Sequence, residues 1–77
     1  PMTIAPIDAA HVTAIEVRLK GDTDLATEQI KVIARGDTVV LEGVVQKADE
    51  KARAEQLARS VKGVEKVDNK LTVQPPQ

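Results

Sequence analysis

The sequence predicts an α+β fold of order α-β-β-α-β, with two helices packed on one face of a small mixed three-stranded sheet. Three stretches carry that prediction. In residues 30–45, IKVIARGDTVVLEGVV, two runs rich in Val and Ile flank a Gly-Asp pair, the pattern of a tight β-hairpin. In residues 48–63, ADEKARAEQLARSVKG, the apolar period changes from two to 3.6. In residues 64–73, VEKVDNKLTV, it returns to two. A strand-helix-strand unit crosses over right-handed, which lays the helices against one side of the sheet.

Residues 1–7, PMTIAPI, hold two prolines and no period, so they read as an extended arm. Asp8 is placed to cap a helix over residues 9–20 that stops at Gly21. His11, Val12, Ile15 and Leu19 form one narrow apolar stripe along it, although HVTAIEV is β-branched enough to compete as a strand. In the polar connection GDTDLATEQ, Asp22 and Asp24 suit turn or capping roles, and Leu25 is the core plug.

With Gly36-Asp37 as the hairpin loop, Arg35 stands opposite Thr38, Ala34 opposite Val39, Val32 opposite Leu41 and Ile30 opposite Gly43. Alternation then puts Ile30, Val32, Ala34, Val39 and Leu41 on one apolar face, which a slip of one residue would destroy. Lys31, Ile33, Arg35, Thr38, Val40 and Glu42 take the other. In the second helix Ala54, Leu57, Ala58 and Val61 share a face. Asp49 and Glu50 sit in its first turn, and Arg59 and Lys62 in its last. Asp49–Arg53, Lys51–Glu55 and Glu55–Arg59 are i, i+4 pairs worth about 0.3–0.5 kcal/mol each. Gly63 is the stop. In the last strand Val67, Asn69, Leu71 and Val73 share the buried face, and Lys66, Asp68, Lys70 and Thr72 the other. Pro75-Pro76 ends it. The organisation is an arm (1–7), one domain (8–74) and a tail (75–77), without repeats or low-complexity tracts.

Seventy-seven residues make one domain, and 42% hydrophobic with 30% charged residues is a globular balance. With no Phe, Trp or Tyr, the core must be aliphatic, and with no Cys it has no disulfide. Stability of about 3–5 kcal/mol is expected for so small a core. Eleven basic and twelve acidic residues leave a net charge of -1, so no global field calls for nucleic acid. No run reaches transmembrane length and no signal-peptide core is present. Pro1 is not a translational start; either Met2 is the native start or a longer N-terminus was removed.

The ordered set is then Ile30 and Val32 in a first strand, a hairpin into Val39-x-Leu41-x-Gly43-x-Val45, Ala54-x-x-Leu57-Ala58-x-x-Val61-x-Gly63-Val64, and Val67-x-Asn69-x-Leu71-x-Val73. It resembles the BON domain, the family named for bacterial OsmY and nodulation proteins, over residues 8–73. The resemblance implies the same αββαβ fold, with the third strand beside the second. It also implies a bacterial source and an envelope or periplasmic setting. Family members are regarded as binding phospholipid or other envelope surfaces, and one LysM-linked branch is associated with sensing potassium. Three positions depart from the family pattern. Gly36-Asp37 has glycine first, which points to a II′ turn instead of I′. Lys47 or Ala48 replaces the usual cap of the second helix, which should fray there. His11 stands where an aliphatic residue is usual.

No constellation for catalysis or metal binding emerges, so a non-catalytic chain without a cofactor is expected. His11 is the only histidine and has no Cys or second His as a co-ligand, which makes it a boundary residue of the fold. Asp22-Thr23-Asp24 opens like a calcium loop, but the later ligands do not follow in register. Arg35-Gly36-Asp37 spells an adhesion tripeptide, yet the glycine is already required by the turn. Ser60 and the threonines have no general base at motif spacing. Asn69, an amide on the apolar face, must find backbone partners and is expected to pin the second helix to the sheet.

The candidate site is the outer sheet face. Ile33 and Val40 form an apolar pair there, surrounded by Lys31, Arg35, Lys66 and Lys70 against Glu42 and Asp68, with Val44 and Val45 as a possible extension. Such a face suits an anionic, partly apolar partner: phospholipid or an envelope protein, met peripherally. It lacks the aromatic residues and loop clamp that nucleic acid requires. The alternatives are a protein docking or assembly module, self-association included, and a cytoplasmic ion-responsive domain if Met2 is the start.

Overall fold

The structure is a computed structural model that describes residues 5–76. Residues 1–4 of the expected arm and Gln77 of the expected tail lie outside the described residues. The elements run α1 (Ala9–Lys20), β1 (Gln29–Arg35), β2 (Thr38–Val45), α2 (Ala48–Arg59) and β3 (Lys66–Val73). The sheet order is β1-β2-β3, with β1 antiparallel and β3 parallel to β2. The mixed three-stranded α+β architecture is the one the periodicities predict.

α1 forms despite its β-branched residues because both its start and its inner face are secured. Asp8 Oδ1 accepts the His11 amide at 3.0 Å, and His11 Nδ1 accepts the Asp8 amide at 3.1 Å, a reciprocal capping box. Nδ1 also lies 2.9 Å from Asp8 Oδ1. Ile15 and Leu19 are buried, and Val12 packs beside the core. Leu25 is buried as the plug of the following connection.

The hairpin register is the expected one, with Arg35 opposite Thr38 and Val32 opposite Leu41. Gly36 has φ +63 and no non-glycine residue among the described ones has positive φ, which excludes a I′ turn and fits II′. At Gly43, φ is +130, and a Cβ would stand 1.9 Å from the Gln29 carbonyl oxygen. Only glycine lets β1 begin so close to the bend in β2.

α2 differs from expectation in three ways. Its start does not depend on a Lys47 or Ala48 cap, because Glu50 Oε1 accepts the amides of Gln46 at 3.1 Å and Lys47 at 2.9 Å. That satisfies donors the helix start would otherwise leave open, and Glu50 is buried in doing so. The helix ends at Arg59, not Gly63; Ser60 Oγ donates to the Leu57 carbonyl at 2.6 Å, and Gly63, at φ +93, then redirects the chain. Among the described residues only Glu55–Arg59 of the three expected helical pairs forms, at 3.1 Å. Arg53 turns instead to Asp22 and reaches Asp24 at 3.9 Å, tying the α1–β1 connection to α2.

Ile15 and Leu19 of α1, Ala54 and Ala58 of α2, Val39, Leu41 and Val45 of β2, and Leu71 of β3 belong to one buried cluster. Since Val39, Leu41 and Val45 alternate onto one side of β2, both helices cover that side. Val45 is therefore core and not part of the outer surface. Asn69 bonds as expected: Nδ2 donates to the Lys51 carbonyl at 2.8 Å, and Oδ1 accepts the Leu71 amide at 3.2 Å.

Candidate functional site

The face away from the helices carries four rows across three strands; the row Gln29, Val44 and Thr72 lies at one end, and the other three frame the candidate site. One row is Lys31, Glu42 and Lys70; the next is Ile33, Val40 and Asp68; the third is Arg35, Thr38 and Lys66. Four cations thus mark the corners of a patch roughly 10 Å by 13 Å between backbone positions, from two strand spacings and four residue rises. All six residues expected at the site lie on this one face.

Val40, at the centre, is only 2% exposed although it stands outside the helix-covered cluster. Its neighbours on this face are Ile33 and Asp68 across the strands and Thr38 and Glu42 along β2, with the four cationic residues at the diagonals. Val40 is thus the floor of the site, and half-buried Ile33 is its accessible apolar part.

The corners differ electrically. Lys66 Nζ lies 3.0 Å from Asp37 Oδ2, and Lys70 Nζ lies 3.8 Å from Asp68 Oδ2. Among the described residues Lys31 and Arg35 make no ion pair. Asp37 also accepts the Thr38 hydroxyl at 3.0 Å. The Lys66 ammonium, and then that hydroxyl, hold its carboxyl below the ordinary 3.8. Asp37 was not foreseen as part of this face. Its approach to Lys66 depends on the parallel register that sets Lys66 beside Thr38, and nothing local to the turn signals it.

The remaining features of the sequence have structural employment. The Arg53 guanidinium occupies the space between Asp22 and Asp24 that a cation would need. In Arg35-Gly36-Asp37 the carboxylate is engaged by Lys66 and Thr38. His11 belongs to the α1 cap, with Nε2 directed at Gly63.

Element order and mixed sheet agree with the BON domain family, whose model matches residues 8–75. This chain belongs to the BON domain family. It is accordingly a bacterial binding module, of a family that is generally non-catalytic. An uncharacterized protein of Deinococcus radiodurans is 42% identical over 55 residues, which are 71% of this chain and 22% of that relative. The BON chain thus aligns with little more than a fifth of that relative's length. Among its described residues no helix is long and apolar enough to cross a membrane.

Proposed function

We propose that this BON domain is a peripheral module of the bacterial envelope that contacts anionic phospholipid through its outer sheet face. The observation that carries the reading is a lattice that no described element covers, with cations at its four corners and half-buried Ile33 beside the closed Val40. Lys31 and Arg35, without ion-pair partners among the described residues, meet phosphate first; Lys66 and Lys70 exchange an internal acid for an external one. No bond is made or broken in the partner. An envelope location follows from this partner.

A titration of backbone amide shifts with vesicles tests it. Vesicles of phosphatidylglycerol should perturb Lys31, Ile33, Arg35, Lys66 and Lys70, while phosphatidylcholine vesicles leave the spectrum unchanged. Added salt should weaken the response, since exposed charges are screened. A cation near an anionic surface contributes about 1 kcal/mol, so Lys31→Gln with Arg35→Gln should weaken binding roughly 30-fold. A spectrum indifferent to both vesicles would sink the proposal.

A further inference from the structure

We propose that the edge of β1 with which no described residue pairs is a strand-addition site for an extended segment of a protein partner whose side chains alternate between apolar and acidic. This goes beyond lipid contact, which uses the sheet face and not its edge.

The two edges of the sheet are not equivalent. Gln74 N–H donates to the Val45 carbonyl at 2.8 Å, so odd-numbered β2 residues turn their backbone groups toward β3. Even-numbered β3 residues answer them, which leaves the Leu71 amide pointing outward. That amide is taken by Asn69 Oδ1 at 3.2 Å, while Asn69 Nδ2 is held by the Lys51 carbonyl at 2.8 Å. The side chain of Asn69 thus closes the middle of the β3 edge, a protection that sheet edges require.

On β1 the same parity runs the other way. The two-residue turn makes Arg35 and Thr38 a hydrogen-bonded pair, so Gln29, Lys31, Ile33 and Arg35 bond inward to β2. Ile30, Val32 and Ala34 then present N–H and C=O outward, and among the described residues those groups have no hydrogen-bond partner besides any within the strands. An incoming strand would bond to these three residues.

The flanks state what that strand must carry. On the helix side a hollow of about 80 Å³ lies between α1 and the β1 edge, floored by Leu19, Leu25 and Ile30 and rimmed by Glu16, Lys20 and Glu28. It takes a small aliphatic side chain, and its two rim carboxylates against one ammonium disfavour an acid. On the outer side Lys31 and Arg35 flank the seam, so residues pointing that way are acidic. A second copy of this chain fits poorly. Pairing β1 with itself about Val32 sets Lys31 diagonal to Lys31 and Arg35 of the second copy, and β1 brings no acid to the seam.

The test uses a soluble, end-blocked heptapeptide alternating Val and Glu, with no lipid present, so failure of the membrane reading does not affect it. The peptide should protect the amides of Ile30, Val32 and Ala34 from hydrogen exchange, while those of Lys31, Ile33 and Arg35 are protected with or without it. Lys31→Glu with Arg35→Glu should weaken this binding about tenfold and transfer the preference to a heptapeptide alternating Val and Lys. Folding of the variant is checked by unchanged β2 and β3 amide shifts. Three results overturn the proposal: no protection of the three amides, an equal response to a scrambled peptide of the same composition, or concentration-dependent protection without peptide, which would assign the edge to a second copy.

Discussion

His11 Nδ1 accepts the Asp8 amide while the far side of the ring lies toward Gly63, so one side chain joins the start of α1 to the turn after α2. Its place in an apolar stripe made it a boundary residue, and it is half-buried as such. What the local sequence did not display was the contact across the fold. A Cβ at Gly63 would stand 2.5 Å from His11 Nε2, on a backbone at φ +93. Gly63→Ala should therefore destabilise by roughly 1–3 kcal/mol through backbone strain and crowding together. Adding His11→Ala should return the crowding part and leave the strain, giving a coupling of about 1 kcal/mol between the two sites. Urea denaturation of the four proteins in this cycle measures it; strictly additive effects would mean that the ring does not restrain Gly63.

α2 illustrates how an element can be predicted correctly while its ends are secured by residues other than the obvious ones. The apolar spacing of Ala54, Leu57, Ala58 and Val61 located the helix. Its start lacks a conventional cap, yet the buried Glu50 carboxylate accepts two backbone amides preceding the helix. Glu50→Ala should cost about 1–2 kcal/mol, in the range of a lost helix cap, whereas Asp49→Ala, exposed in the same turn, should cost a few tenths through the helix dipole. Thermal or urea melts of the two variants separate them, and equal losses would deny Glu50 its capping role. Arg53 carries the complementary lesson. Its helical neighbour Asp49 was the local candidate, but Asp22 lies against it across the fold and displaces that pairing.

At the scale of the molecule, the acid side of the stability curve is set in part by two surface carboxylates. The His11 amide holds Asp8 below 3.8, and the Lys66 ammonium does the same for Asp37. A depressed folded value means that the stabilisation is fully present above the unfolded value of about 3.9 and is lost as pH falls through the folded value. Urea midpoints should therefore lose the contribution of these two groups below about pH 4. Asp37→Asn should flatten part of that fall. High salt should shrink the Asp37 share, which rests on an exposed ion pair, more than the Asp8 share, which rests on a backbone amide. A fall unchanged by Asp37→Asn would remove this residue from the account. The same ion pair links the hairpin turn to β3, so the charge pattern of the outer face and the acid response share a residue.

The sequence by itself determined the elements, the hairpin register and which side chains share a face, because periods of two and 3.6 and a two-residue turn are local properties. It also placed the six residues of the candidate site on one face, since alternation along a strand needs no knowledge of the partner strand. Only the tertiary structure decided the closure of Val40, the pairing of Lys66 with Asp37, the turn of Arg53 to Asp22 and the protection of one sheet edge by Asn69. Each of these joins residues on different elements, and such contacts are chosen by packing geometry that no window of sequence contains.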